Sequence, residues 1–310
     1  QCRSGLFNWN RRDRQKVRQR FAAKGEFYQN LFPPVMFSTD WRPTVIMQLT
    51  RYTANLRTAL VIVFTAPQCL PALAAECVTT SGDKRVALLE LYTSEGCSSC
   101  PPADRWLSAL TAEKAVPAAL LPLAFHVDYW NDIGWVDPYS QARFSDRQRQ
   151  YSRRRGVGFV VTPQFLLDGQ PYQRPLIFND LNGKTQAINR TSPRAAIRIS
   201  ESRLPSSISA QIDARVAEPA LRDAELFVAV FENNLQSAVT SGENAGTLLK
   251  HDFVVRELGG PVAIDANGHA SHRISVRPGP SWKLHDLRLA AFVQHPRSGQ
   301  VLQAVGSDCR

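Results

Sequence analysis

The chain has 310 residues, with 37 lysines and arginines against 27 aspartates and glutamates, so its formal net charge is +10. Most of this excess lies in residues 1–74, which carry 11 basic and 3 acidic side chains. The remaining 236 residues hold 26 basic and 24 acidic side chains, so their composition gives no support for binding to nucleic acid or to anionic lipid.

Residues 1–46 begin with Gln1 and contain the basic run Arg11–Arg20. Such a run is typical of a nucleic-acid-binding arm, but a gene start placed too far upstream gives the same pattern. We favour the second interpretation, an upstream extension that is non-native or unstructured. The reason is that residues 47–74 have the pattern of a secretory signal peptide, which functions only at an N-terminus.

Residues 47–74 contain the three parts of such a signal. Arg51 and Arg57 form a basic segment, residues 59–64 begin an apolar core, and Ala72-Leu73-Ala74 is a typical cleavage site. Prolines interrupt the apolar run, which is too short for a good membrane span. We therefore expect a periplasmic or secreted protein with no stable membrane span in its mature chain.

Four cysteines follow this leader: Cys77, Cys97, Cys100 and Cys309. An even number of cysteines in an exported chain indicates an oxidising compartment. Cys97 and Cys100 form a local CxxC pair, which leaves Cys77 and Cys309 for each other. We predict that these two form a structural disulfide that joins the ends of the mature chain.

The first part of the mature chain alternates strand and helix patterns. We predict strands at 86–92, 119–127 and 164–169, and helices at about 102–114, 140–155 and 177–188. The first strand runs into the CxxC motif at a helix start, and Thr162-Pro163 precedes the third strand. Because this is the order of a thioredoxin-like fold, we predict a thioredoxin-like domain for residues 80–192.

Residues 193–310 have a different period. Ile208–Val216 alternates strictly between apolar and polar residues, which is typical of a half-buried antiparallel strand. Similar runs recur at 195–200, 224–232, 270–277 and 286–293, separated by turn residues. We therefore predict an α/β thioredoxin-like domain followed by an all-β, sandwich-like domain.

Six stretches of the chain form a specific pattern when they are taken together. They are residues 91–104, 125–130, 134–138, 161–164, 241–246 and 251–256. In these stretches the sequence resembles the DUF1223 family of bacterial secreted thioredoxin-like proteins, and the resemblance covers residues 80–306. The family is named for a domain of unknown function, so the resemblance implies a fold and a site but no reaction.

Cys97 and Cys100 are the predicted attacking and resolving thiols of a thiol–disulfide exchange site. The free N–H groups and the dipole at a helix start stabilise a thiolate on the first cysteine. Thr162-Pro163 resembles the position where thioredoxin-like proteins carry a cis-proline that faces the cysteines, so Pro163 is expected to leave the preceding backbone free to pair with a substrate peptide. Glu95 would oppose the thiolate if its side chain lies close. The expected partners are protein thiols or disulfides of exported proteins.

Two neighbouring thiols also fit other roles. They can bind Cu(I) or zinc, form an inert structural disulfide, or remain as a relic on a binding domain. The alternative function is therefore a non-catalytic binding or copper-carrying module. Zinc usually requires two further ligands, and no second CxxC or paired histidine lies nearby in the sequence, so we expect no metal and no cofactor.

His126, Asp128 and Trp130 follow the second predicted strand and form a candidate site loop. Two residues apart at a strand end, His126 and Asp128 would point the same way and could ligate a cation or transfer protons. The interpretation we favour is a loop whose tryptophans pack on the domain and whose aspartates cap turns or the next helix. If the loop is functional, its place at the carboxyl end of the sheet puts it near the cysteines.

Four polar residues mark the second predicted domain: Glu243, Asn244, His251 and Asp252. A ligand site is one interpretation. Turn formation around the glycines and contacts between the domains are the interpretation we favour.

Overall fold

The computed structural model describes residues 76–113, 116–173 and 180–309. The predicted upstream extension (1–46) and signal peptide (47–74) lie outside the described residues. Within the described part the α-helices are α1 (Pro101–Ala109), α2 (Ala142–Arg154) and α3 (Leu181–Asn189). Single 3-10 turns lie at Leu110–Ala112, Asn131–Ile133, Pro219–Leu221 and Leu284–Asp286.

Strands make up most of the regular structure in the described part of the chain. The early strands are β1 (Glu76–Thr80), β2 (Ala87–Thr93), β3 (Leu120–His126), β4 (Gln164–Leu167) and β5 (Gln170–Pro171). The later strands are β6 (Ala196–Leu204), β7 (Ser207–Arg215), β8 (Glu225–Glu232), β9 (Leu235–Ala238), β10 (Leu248–His251), β11 (Val254–Ala263), β12 (His269–Val276), β13 (Leu287–Gln294) and β14 (Val301–Gly306).

The largest sheet has eight strands in the order β14-β13-β8-β11-β3-β2-β4-β5. Strands β2 and β3 pair in parallel, and β3 also pairs in parallel with β11 through Ala124 and Val254. The other pairs in this sheet are antiparallel. One continuous sheet therefore takes strands from both sides of residue 193.

The predicted fold class, an α/β thioredoxin-like domain followed by an all-β domain, is wrong. That class requires the strands of the first half to form a sheet of their own, whereas β3 continues directly into β11 and the strands beyond it. All seven residues of β3 are buried, and an unpaired edge on such a strand would leave its backbone N–H and C=O groups without partners. At Ala124, strand β11 supplies such a partner from about 130 residues further along the chain: the Ala124 N–H donates to the carbonyl of Phe253 at 2.8 Å, and Ala124 is paired with Val254.

Two hydrophobic cores lie on the two faces of this sheet. On β8, Phe227 and Phe231 belong to the core that contains residues of the three helices, while Leu226 and Val228 belong to the core shared with a second sheet. That second sheet has the order β1-β6-β7-β12 and packs as one layer of a sandwich. Since side chains alternate along a strand, the alternation on β8 explains how the central strands are buried on both faces.

The ends of the described chain are joined by a disulfide. Cys77 of β1 and Cys309 beyond β14 are bonded, as predicted, across a sequence separation of 232 residues. Within the described ranges, we find no helix that is both long and apolar enough to cross a membrane.

Candidate functional site

The CxxC motif lies in a tight turn between the end of β2 and the start of α1. The Cys97 N–H donates to the carbonyl of Ser94 at 3.2 Å, and the Cys100 N–H donates to the carbonyl of Cys97 at 3.1 Å. Cys100 is the residue that precedes the helix, and Pro101 is its first residue. Proline suits this position because its missing N–H would have no partner within the helix. The motif is therefore held by local hydrogen bonds at a helix N-terminus.

Both cysteines of the motif are free thiols and both are buried. Cys97 is 1% exposed and Cys100 is fully buried, whereas the intervening Ser98 and Ser99 are exposed. An attacking thiol has to be reached by its partner sulfur, whereas at Cys97 only the neighbouring Ser98 and Ser99 are exposed.

Hydrogen bonds to the sulfur lower the pKa of Cys97 to about 6. The largest contribution is the hydrogen bond from the Cys100 thiol, and burial opposes it. The hydroxyl of Ser99 lies 3.2 Å from the Cys97 sulfur and adds to the effect. A thiol with this pKa is mostly thiolate at neutral pH, and the thiolate is the nucleophilic form.

Cys100 behaves in the opposite way. Burial raises the pKa of its thiol, and the hydrogen bond with Cys97 and the nearby charge of Asp104 raise it further. The two thiols share one hydrogen bond that stabilises the thiolate on Cys97 and keeps the proton on Cys100. The pair is therefore chemically asymmetric.

Thr162 and Pro163 lie against the motif, joined by a cis peptide bond. The carbonyl oxygen of Thr162 is 3.8 Å from the Cys97 sulfur. The side-chain hydroxyl of Thr162 accepts a 2.7 Å hydrogen bond from the indole N–H of Trp130. Gly96 allows Trp130 to approach the turn, since a Cβ at residue 96 would lie 3.1 Å from the Trp130 Cβ. The structure thus brings together Cys97, Cys100, Pro163 and Trp130 of the predicted site residues.

The other two residues of the predicted site loop, His126 and Asp128, contact different parts of the structure. Asp128 accepts a hydrogen bond from the hydroxyl of Ser145 at the start of α2, which is a local contact between loop and helix. His126 is fully buried, with Nδ1 2.7 Å from the carboxylate of Asp137. Burial opposes the charged imidazole, but the charge and hydrogen bond of Asp137, together with the charges of Asp104 and Glu95, raise the pKa of His126. His126 and Asp128 do not form a shared site.

A buried polar cluster lies behind the cysteines. Glu95 is fully buried; its carboxylate lies 3.0 Å from Nε2 of His251 and accepts a 2.8 Å hydrogen bond from the indole of Trp135. Its backbone N–H donates to Asp137 at 2.8 Å, which links it to His126. The Glu95 carboxylate is therefore directed toward His251 and not toward the Cys97 sulfur.

Sequence reasoning did not assemble this cluster, because Glu95 and His251 are 156 residues apart. One signal in the sequence could have led to it: Glu95 lies next to the CxxC motif, and the later half of the chain contains a group of polar residues that includes Asn244 and His251. Asn244 donates to the carbonyls of Glu95 and Cys97 at 2.7 and 3.1 Å, and Glu243 accepts from the Ser98 N–H at 3.0 Å. Asn244 and Glu243, which lie between β9 and β10, therefore hydrogen-bond directly to the backbone of the motif.

Among the described residues, no group of three or more histidine, cysteine, aspartate or glutamate side chains has a geometry that could hold a metal ion. The site consists of a free, asymmetric thiol pair at a helix start, backed by buried carboxylates and imidazoles.

These features define a β-rich protein with a buried CxxC motif between a strand and a helix. The model of the family DUF1223, described as "Protein of unknown function", matches residues 88–294, and the chain belongs to this family. A search of curated proteins found no match.

Two solved structures are similar in fold. Protein AGR_C_4864 from Agrobacterium tumefaciens is 20% identical, with a TM-score of 0.51, over 74% of this chain and 98% of that one. HBP35 of Porphyromonas gingivalis is 16% identical, with a TM-score of 0.54, over 73% of this chain and 76% of that one. At these identities the similarity concerns the fold alone.

Proposed function

We propose that this protein carries out thiol–disulfide exchange through Cys97 and Cys100. The observation that carries the proposal is the opposite perturbation of the two thiols: hydrogen bonds lower the pKa of Cys97 to about 6, and burial raises that of Cys100. Exchange needs one thiol that is already a thiolate and a second that stays protonated until the first has reacted. A structural disulfide has no need of this asymmetry.

In the proposed reaction the Cys97 thiolate attacks one sulfur of a partner disulfide. A bond forms between Cys97 and that sulfur, the partner S–S bond breaks, and the other partner sulfur leaves as a thiolate. Cys100 then loses its proton and attacks the Cys97 sulfur, which expels the second partner thiolate. The partner disulfide is reduced to two thiols and the protein pair is oxidised to a disulfide; the reverse sequence oxidises the partner.

The burial of Cys97 adds a requirement to this reaction. Because the residue is only 1% exposed, a partner sulfur reaches it only after a local opening of the neighbouring segments. Ser98, Ser99 and the half-exposed Val161 next to Thr162 are the surface that a partner would first contact.

We place this activity in an oxidising compartment outside the cytoplasm, with exported proteins as the partners. Support comes from the bond between Cys77 and Cys309, since structural disulfides persist in oxidising compartments. The leader pattern in residues 47–74 points the same way.

The test is to trap the intermediate with glutathione disulfide. In Cys100→Ser the mixed disulfide on Cys97 cannot be resolved, so we expect one stable glutathione adduct per protein by mass spectrometry. The wild type should end with an internal Cys97–Cys100 disulfide and no adduct, and Cys97→Ser should do neither. Absence of the adduct in Cys100→Ser, or equal adducts on both variants, would contradict the proposal. Stoichiometric Cu(I) binding without exchange would instead favour the copper-carrying alternative.

A further inference from the structure

A small pocket opens beside the CxxC motif, between helix α1 and strand β10. Its volume is about 130 Å³, and it is lined by Pro101, Asp104 and Arg105 of the helix and by the strand residues Leu248–His251. This is room for a few water molecules. Two of the lining residues are buried ionisable groups, Asp104 at 5% exposure and His251 at 2%.

Asp104 lies one helical turn after Cys100, and its N–H donates to the Cys100 carbonyl at 3.1 Å. One carboxylate oxygen accepts a 2.7 Å hydrogen bond from the hydroxyl of Thr93. The other oxygen, Oδ2, is buried and has no hydrogen-bond partner among the described residues. A buried carboxylate oxygen without a partner is costly, which indicates that this atom is used in another state of the site or by water in the pocket.

His251 is oriented toward this oxygen. Its Nε2 is 3.0 Å from Glu95, so the carboxylate of Glu95 fixes the ring and its Nε2 proton. The other nitrogen, Nδ1, lies 3.9 Å from Oδ2 of Asp104. This separation exceeds a direct hydrogen bond, and a water molecule in the adjoining pocket can contact both atoms.

The proposed exchange reaction leaves one step without a proton acceptor. Cys100 must lose its proton before it attacks the mixed disulfide on Cys97, and it is fully buried. We propose that Asp104 takes this proton, that His251 passes it on, and that the pocket between α1 and β10 is the water route to solvent. This inference rests on the proposed exchange function and deepens it.

The proton moves from the Cys100 sulfur to the Asp104 carboxylate, directly or through a pocket water. The Cys100 thiolate forms a bond with the Cys97 sulfur, the bond between Cys97 and the partner sulfur breaks, and the partner leaves as a thiolate. His251 then accepts this proton from Asp104 through a pocket water and releases it to solvent, so Asp104 and His251 return to their starting protonation states while Cys97 and Cys100 end as a disulfide.

The surroundings of Asp104 suit a group that gains and loses a proton. Burial raises the pKa of its carboxyl, while the imidazoles of His251 and His126 lower it and the carboxylate of Asp137 raises it. Arg105 and Lys250 stand on the pocket walls. The charge of Asp104 also raises the pKa of Cys100.

Because the charge of Asp104 raises the pKa of Cys100, the two possible roles of Asp104 predict opposite changes in the rate of resolution. If Asp104 acts only as a nearby charge, Asp104→Asn lowers the pKa of Cys100 and resolution becomes faster. If Asp104 is the proton acceptor, the same variant makes resolution slower, on the order of 10²-fold for the loss of a general base.

The experiment uses the reduced full chain and the aromatic disulfide DTNB as probe. Attack by Cys97 releases a first thionitrobenzoate, and attack by Cys100 releases a second, so absorbance separates the two steps in one stopped-flow trace. We expect the first-phase rate of Asp104→Asn to stay within about twofold of the wild-type rate, while its second phase is slower. At alkaline pH the second-phase rates of variant and wild type should become equal, because hydroxide replaces the base. Asp146→Asn, at an exposed carboxylate on α2, is the matched control and should match wild type in both phases.

A second phase that is unchanged or faster in Asp104→Asn would overturn the inference while leaving the exchange function intact. A wild type that releases only one thionitrobenzoate would instead overturn the exchange function, and this inference with it. If Asp104→Asn does not fold, His251→Gln is measured in its place and should also slow the second phase at neutral pH; a wild-type rate in that variant would overturn the inference.

Discussion

The reactivity of Cys97 depends on hydrogen bonds to its sulfur, and removing the largest of them gives a sharp test. A pKa of about 6 makes roughly 90% of Cys97 thiolate at pH 7, against about 3% for an ordinary cysteine. Hydrogen bonds to charged groups contribute about 1.5–3 kcal/mol, or about one to two pKa units. We therefore expect Cys100→Ala to raise the pKa of Cys97 by one to two units, and Ser99→Ala to raise it by less.

The assay is the ultraviolet absorbance of the thiolate as a function of pH in the reduced protein. Cys97→Ala, which retains only Cys100 at the motif, should show no thiolate in the neutral range, because burial raises the pKa of Cys100. The reasoning is refuted if wild-type Cys97 titrates near the ordinary value of about 8.5, or if Ser99→Ala has a larger effect than Cys100→Ala.

Three further predictions concern stability. Cys309→Ala removes the disulfide with Cys77. Because the closed loop spans 232 residues, we expect the free energy of unfolding to fall by up to about 5 kcal/mol. Urea unfolding measures this loss, and the control Cys77→Ala should lose the same amount. Asp137→Asn should lower the pKa of His126, because Asp137 raises it against the effect of burial. The contribution of His126 to the free energy of unfolding is present below its unfolded pKa and is lost as the pH rises through its folded pKa. The variant should therefore lose stability mainly at acid pH. Glu95→Gln keeps the shape of the side chain but removes the carboxylate between His251 and Trp135. We expect the free energy of unfolding to fall by about 1–3 kcal/mol. An unchanged unfolding midpoint would show that this carboxylate does not stabilise the fold.

Local structure could be predicted well from the sequence. The strand patterns at 86–92, 119–127 and 224–232 correspond to β2, β3 and β8 within one or two residues. The helix start after the cysteines was also recognisable, because Pro101 is a strong signal for a first helical position. These features depend on neighbouring residues, which a sequence displays directly.

The pairing of strands could not be predicted, and this is why the fold class was wrong. Strand β3 is apolar up to Phe125, and nothing in this local pattern shows that its second neighbour is β11. Strand β11 itself has irregular register around Gly259 and a proline at residue 261, so it lacks the regular alternation that marks β7. The sheet order follows from contacts that only the folded chain reveals.

The candidate site divides in the same way. Cys97 and Cys100 could be placed together because they form one motif, and Pro163 was added because it matches the position of a cis-proline in thioredoxin-like proteins. The carboxylate and imidazole behind them, Glu95 and His251, could not be joined, since 156 residues separate them and neither carries a motif by itself.

The most direct test of exchange chemistry is the equilibrium between the folded protein and glutathione buffers of graded composition, read by alkylation and mass spectrometry of Cys97 and Cys100. We expect one reversible two-electron transition with a potential between about −270 and −120 mV, the range of thiol–disulfide oxidoreductases. A pair that stays reduced, or stays oxidised, in every buffer while the protein remains folded would contradict the proposed function.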